Sequence, residues 1–310
     1  MTTYHLHLFA QLPAALQGGV VTVGNFDGVH RGHVTLVRAN RRLAETLGVP
    51  AIAATFDPPP LSLLYPPAVK PPLSTLRERA ALLHAAGVDA VVALHTDAAL
   101  LSLNAESFFE DVLLGQFRAR GIVEGFNFRF GRARSGDGRL LRELCLAHGV
   151  PFVECPSLVC EGGFTISSSR IREALKRGDV VEARQLLGRS YGITGVVETG
   201  AQRGRTIGFP TANLGGVPTM LPLDGVYAVR VDVDGTEYRG AMNIGPNPTF
   251  AEQRQKLEVH LLDFQGDLYG RELRVTFTAR LRDTTTFPNL EALVAQLHRD
   301  VARARTEEEP

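Results

Sequence analysis

The sequence predicts an α/β domain built on a parallel sheet, followed by a small antiparallel β-barrel and a closing helix. Three observations carry that prediction. Short apolar runs alternate with helical patterns through the first half of the chain, the texture changes to short strands and turns from Tyr191 onward, and an apolar stripe marks the last segment. A length of 310 residues with 44% hydrophobic content suits two domains, each with its own core.

In chain order, "GVVTVG" (Gly19 to Gly24) reads as a buried strand, and the segment after His33 sets Leu36, Val37, Leu43, Ala44 and Leu47 at helical spacing until Gly48 stops it. Strands follow at Pro50 to Phe56, Asp89 to Leu94 and Gly121 to Phe126, with helices at Thr75 to Gly87 and in "AESFFEDVLLGQF". Ser167 to Gly188 is helical with a break at Gly178, and the domain boundary is set there, giving residues 1–187 and 188–310. Beyond it Val229, Val231 and Val233 alternate with charged residues, Asp234-Gly235 is a hairpin signal, and "LEVHLLDF" and "ELRVTFTARL" continue the β pattern. Leu290, Leu293, Val294, Leu297 and Val301 form the stripe of the final helix before a frayed "TEEEP". "DPPP" and "YPPAVKPP" are proline-stiffened loops.

Charge excludes some partners. Lys plus Arg and Asp plus Glu are both 33, so no global field attracts nucleic acid or a membrane surface, and any anion must be caught locally. Three cysteines without CxxC spacing read as reduced thiols, and with no apolar leader or long apolar run the expected location is the cytoplasm.

Polar chemistry is concentrated in two places. "VGNFDGVHRGH" (Val23 to His33) lies between a strand and a helix, where open α/β sheets take their ligands. Its glycines 24, 28 and 32 let backbone approach a phosphate, and His30 and His33, three apart at a helix start, can point the same way. "ISSSRIR" (Ile166 to Arg172) adds hydroxyls and two arginines suited to a polyphosphate. A capped turn and an ordinary N-cap are the competing readings of these stretches. The pair resembles the nucleotidyltransferase superfamily. That resemblance implies that His30 and His33 stabilise charge at the α-phosphorus, that Gly24, Phe26, Asp27 and Gly28 line the ATP site, and that Ser167, Ser168 and Arg172 hold the departing pyrophosphate.

In the barrel half, "GRTIGFPTANL" offers the Thr211 hydroxyl and the Asn213 carbonyl, hard oxygens that suit Mg²⁺, with Gly204 and Gly208 allowing the chain to wrap phosphates. Glu258 sits in a strand on one face with His260 and Leu262, where a solvent-facing carboxylate is the ordinary reading.

Taken in order, "VGNFDGVHRGH", "TFDPPP", "GFNFRFG", "ISSSRIR", "GRTIGFPTANL", "DGVYAV", "NIGPNPTF", "LEVHLLDF" and "GDLYG" resemble the prokaryotic bifunctional riboflavin kinase/FAD synthetase family over nearly the whole chain. The resemblance implies a Rossmann-like FMN adenylyltransferase domain at 1–187 and a riboflavin kinase barrel at 188–310, with ATP, riboflavin, FMN and FAD as substrates and products. It makes Thr211 and Asn213 the Mg²⁺–ATP ligands, adds Gly204, Arg205 and Gly208 to the kinase ATP site, and makes Glu258 the general base. Phe56, Asn127 and Phe130 match positions that hold the flavin, and an aromatic slot is what a flat isoalloxazine requires. Where the family commonly has Asp-Pro-His-Pro this chain has Asp57-Pro58-Pro59-Pro60, which removes any role for an imidazole there. Two other readings are a nucleotidyltransferase with a different acceptor and a protein that stores or senses flavin. Both leave the barrel motifs or the paired histidines without a use.

Overall fold

A computed structural model describes residues 3–66, 70–160, 163–200, 203–247 and 252–307. Parts of the Tyr65–Pro72 loop, of "NIGPNPTF" and of "TEEEP" therefore lie outside the described residues. The chain forms two compact units, one from residues 1–70 and 74–167, the other from 71–73 and 168–310.

The first unit runs β1 (Thr3–Leu6), β2 (Val20–Val23), α1 (Arg31–Leu47), β3 (Ala51–Asp57), α2 (Pro60–Leu64), α3 (Leu76–Ala86), β4 (Ala90–His95), α4 (Ala98–Ser102) and α5 (Ala105–Ser107). A π-helical segment (Phe108–Gln116) continues α5, followed by β5 (Gly121–Gly125), β6 (Arg129–Phe130), β7 (Gly136–Asp137), α6 (Gly138–Ala147) and β8 (Phe152–Cys155). The main sheet is parallel, in the order β1-β4-β3-β2-β5-β8. Its central strands are apolar because helices cover both faces, giving one cluster around Val21, Ile52, Val92 and Phe109 and another around Val20, Val37, Leu83 and Val91. Strand order reverses at β2, so the crevice at the end of that strand is the ligand position of an open α/β sheet.

The second unit runs α7 (Ser168–Lys176), α8 (Val180–Leu187), β9 (Gly192–Glu198), α9 (Arg203–Thr206), β10 (Ala212–Gly215), β11 (Gly225–Val233), β12 (Thr236–Asn247), β13 (Glu252–Leu261), β14 (Glu272–Arg282) and α10 (Leu290–Thr306). The six strands close into an antiparallel barrel in the order β10-β13-β12-β11-β14-β9. Val229, Val231 and Val233 are buried as their alternation predicts, and Asp234-Gly235 makes the β11–β12 turn with positive φ at both residues.

The change of texture at Gly188 and the division between the units at Ser168 differ by one helix pair, α7 and α8. That pair contacts the barrel: the Leu223 N–H donates to the Leu175 carbonyl at 2.8 Å, and the Arg280 guanidinium lies over Gly178. The final helix docks differently from its apolar stripe. Leu290 is exposed, while Asp300 and Ala304 are the buried positions. Asp300 receives Arg282 of β14 through Nε (3.0 and 3.1 Å) and Nη2 (2.8 Å), a bidentate pair that fixes α10 on the barrel.

Candidate functional site

At the end of β2 the chain leaves the sheet through a turn of unusual backbone. Phe26 and Val29 have φ of 46° and 40°, Gly28 has 77°, and the Val29 N–H closes onto the Phe26 carbonyl at 3.0 Å. Side chains other than glycine rarely adopt such φ values, so the surroundings must hold this turn. Phe26 and Val29 are buried beneath it. Two glycines also make room for the chain's own side chains: a Cβ on Gly24 would lie 3.3 Å from the Phe26 ring, and one on Gly32 would lie 3.2 Å from the His30 ring.

His30 is the N-cap of α1, its Nδ1 accepting the His33 backbone N–H at 3.3 Å. Because Nδ1 accepts, a neutral His30 ring carries its hydrogen on Nε2. The His30 and His33 rings stack with centroids 3.6 Å apart and planes 15° from parallel. Burial, then the neighbouring His30 and Arg79, push the His33 ring well below the usual imidazole range. His33 is therefore neutral at physiological pH. Among the described residues its Nδ1 is buried without a hydrogen-bond partner, a polar atom that a water or a ligand could satisfy. The N-terminus of α1 adds positive potential through the helix dipole, so the crevice suits an anion.

Ser167 closes the first unit, whereas Ser168 and Arg172 begin the second on α7. Arg172 donates from Nη1 to the Ser168 carbonyl at 3.3 Å. Arg170, the other arginine of that motif, is paired with Glu182 of α8 at 2.8 Å.

The flavin candidates divide by accessibility. Phe56 at the end of β3 is half-buried and Asn127 is exposed. Phe130 is 5% exposed, covered by Phe108 and by Phe128, whose ring stacks on it at 5.4 Å and 14°. The half-buried ring of that stack is Phe128, which sequence reasoning passed over.

In the barrel, backbone pairing lines up Glu198 (β9), Asn213 (β10), Glu258 (β13) and Asn243 (β12) in one row across four adjacent strands. Directly paired residues share a face. Val259 beside Glu258 and Met242 beside Asn243 are fully buried, so the row lies on the barrel's opposite, outer side. Thr211 is exposed just before β10, with its Oγ1 3.5 Å from where a Cβ on Gly204 would sit. A Cβ on Gly200 would collide with the Asn213 amide, so the hydroxyl and the amide stand in a cradle that glycines leave open. Gly204 also makes room for the Phe209 carbonyl, and Phe209 N–H donates back to Gly204 at 2.8 Å. Gly208 has φ of 86°, and Arg205 is exposed on the same turn. Phe209 is wedged edge-on between the His260 and His298 rings at 5.5 and 5.0 Å.

Glu198, Asn243 and the buried Arg79 are among the polar residues near these sites that the motifs did not single out. Arg79 had a signal: it completes the inward i, i+3, i+4, i+7 face of α3 with Leu76, Ala80 and Leu83.

A parallel sheet whose histidine-bearing turn lies where strand order reverses defines a nucleotidyltransferase-like unit, and the closed barrel with its polar row is a second unit built independently. Comparison with known proteins gives both a family. A FAD synthetase family model matches residues 12–170, and a riboflavin kinase family model matches residues 187–307. Bifunctional riboflavin kinase/FMN adenylyltransferases are similar along their length. The one from Escherichia coli K12 is 39% identical over 301 residues, spanning 97% of this chain and 95% of that one. The Bacillus subtilis protein is 33% identical over 314 residues, spanning 98% and 97%. The chain belongs to the bifunctional riboflavin kinase/FMN adenylyltransferase family. It phosphorylates riboflavin with ATP to FMN and adenylylates FMN with ATP to FAD, releasing pyrophosphate. A crystal structure described as a macrolide-efflux protein from Streptococcus pneumoniae also matches, with TM-score 0.89 and 33% identity over 99% of this chain and 100% of that one. Among the described residues here, no helix is long and apolar enough to cross a membrane.

Proposed function

We propose that adenylylation is centred on the Val23–His33 turn and phosphorylation on the Asn213–Glu258 row, with residues 1–187 and 188–310 as the corresponding domains. The observation that carries the reading is the stacked pair of His30 and His33, whose Nδ1 atoms are respectively engaged in the helix cap and buried without a partner. The two imidazoles in that arrangement act as hydrogen-bond donors to developing negative charge, and no covalent intermediate is needed because the FMN phosphate is the nucleophile. Phe26, Asp27, Gly24 and Gly28 shape the ATP side of the turn. Ser167, Ser168 and Arg172 hold the leaving phosphates. Phe56 and Asn127 bind the flavin, with Phe130 backing the Phe128 ring.

In the barrel, Glu258 orients and deprotonates the ribityl hydroxyl of riboflavin. Thr211 and Asn213 supply the oxygens that would hold Mg²⁺ with ATP, and the hydroxyl and amide oxygen in their glycine cradle suit that hard cation. When bound, the ion neutralises phosphate charge. Gly204, Arg205 and Gly208 form the turn that follows the nucleotide. Three cysteines without a disulfide support a cytoplasmic location.

The test is product chromatography after incubating the purified protein with riboflavin, ATP and Mg²⁺. FMN should appear first and FAD after it, with both steps stopping when EDTA removes the metal. FMN formation that persists in EDTA would overturn the Mg²⁺ assignment.

A further inference from the structure

We propose that Arg79 is a positioning residue for adenylyl transfer, gripping the strained turn between β2 and α1 from beneath. The inference rests on the reading of His30 and His33 given above and assigns the group that keeps them in place.

Arg79 lies on α3 and is 4% exposed, an unusual place for a guanidinium. Its Nη1 donates to the Thr55 Oγ1 at 3.0 Å, and the Thr55 hydroxyl donates to the Asn25 carbonyl at 3.2 Å. Its Nη2 stands 3.9 Å from Asp27 Oδ1, which accepts the Ser74 N–H at 3.2 Å. Ser74 Oγ in turn accepts the Gly28 N–H at 3.0 Å. Arg79 thus reaches Asn25 through Thr55 of β3 and Asp27 directly, while Gly28 is tied to Asp27 through Ser74, just before α3. These are the residues around Phe26, Gly28 and Val29, whose positive φ angles need external support. The Arg79 Nε is buried with no partner, so this guanidinium is not simply satisfied where it lies.

Its charge has a second effect. The ionisable groups acting on His33 are His30 at the start of α1 and Arg79 on α3, and both oppose its protonation. Burial lowers the Arg79 pKa from its usual range, and Asp27 and Asp57 partly offset that cost by favouring the charged form. Arginine stays protonated across the working range, so the positive charge facing His33 is permanent.

The test uses the full-length chain with Arg79→Met, Arg79→Lys and His33→Ala, measuring FAD formation from FMN against pH, with FMN formation from riboflavin in the same preparations as control. Arg79→Met should lower kcat for FAD about 10²-fold, the scale of a misplaced catalytic group, and leave the kinase rate unchanged. With one positive charge removed, His33 protonates more readily, so the acid limb of the FAD profile should move to higher pH. Arg79→Lys keeps the charge but loses the fork, so it should lower kcat while leaving the acid limb in place. An Arg79→Met rate within twofold of wild type, or a loss with an unmoved acid limb, would overturn the proposal. Should the Met variant fail to fold, the Lys variant decides: a wild-type FAD rate refutes the grip, and a reduced one with a normal kinase rate supports it. Full FAD activity in His33→Ala would instead bring down the underlying site reading, whereas an inactive His33→Ala beside an active Arg79→Met sinks this inference alone.

Discussion

Glu124 accepts the Val23 backbone N–H at 2.6 Å, bridging the gap that opens between β2 and β5 once their pairing stops at Val21 and Ile122. The side chain replaces the backbone acceptor that β5 no longer offers. The carboxyl is 2% exposed, and burial pushes it well above the usual carboxylate range against the opposing pull of the Val23 N–H.

A raised folded-state value means that the native chain holds a proton that the unfolded chain has already lost. Stability from this group is therefore complete below the ordinary carboxylate range and falls as pH rises through the raised value. Glu124→Gln, neutral at every pH, should melt close to wild type at pH 5 and above it at pH 8 to 9. The gain grows by up to about 1.4 kcal/mol per pH unit between the ordinary carboxylate range and the raised value, and levels off above it. Thermal melts across that range check it, and a mutant-minus-wild-type difference that does not change with pH would refute it.

At His30 a fold role and a chemical role coincide, and two substitutions separate them. Asn is a good N-cap and Ala a poor one, so His30→Ala should lose about 1 kcal/mol of stability that His30→Asn retains. Both should lose about 10²–10³ in FAD formation while FMN accumulates from riboflavin. Calorimetry paired with product analysis measures the two effects, and an active His30→Asn would show that the imidazole serves only as a cap.

Glu258→Gln should give the reverse pattern. FMN formation should fall by about 10²–10⁴, because the amide keeps shape but cannot take the proton. FAD formation from supplied FMN should stay within twofold. Kinase activity near wild type would move the base elsewhere on the barrel.

The helix pair α7 and α8 sets where the chain can be cut. A fragment from Ser168 keeps the Leu175–Leu223 hydrogen bond and the packing of Gly178 on Arg280, and one from Arg189 removes both. The longer fragment should unfold at the higher temperature, and it should make FMN but no FAD. Equal melting temperatures would mean that the pair adds nothing to the barrel.

Much of this architecture was legible because it is local. The apolar runs of β2, β3, β4 and β5 and the Gly stops of α1 and α3 needed no tertiary information. Strands at the sheet margins were not read: β1 is mixed in character, and β8 exposes Val153 and Glu154, so neither shows the buried-strand signature. The expected helix after Asn104 forms largely as a π-helix, a distinction of hydrogen-bond register that leaves no mark in composition. Barrel closure joins β9 to both β10 and β14, pairings separated by too much sequence for a hairpin signal to reveal. The motifs located His30, His33, Asn213 and Glu258 by kind and order. That Gly24 shelters Phe26, or that Asp300 rather than the leucine stripe is the most buried part of α10, depends on partners far along the chain.

The row from Asn213 through Glu258 to Asn243 has a consequence for how this barrel can change. A closed sheet has no free edge along which a strand can slide, and neighbouring strands stand about 4.8 Å apart whatever side chains they carry. The backbone ladder therefore acts as a ruler: Asn213 and Glu258, 45 positions apart in the chain, keep their separation when either is replaced. Substitution along the row exchanges one functional group for another on a fixed pitch, so new chemistry can be tried there without rebuilding the frame that spaces it.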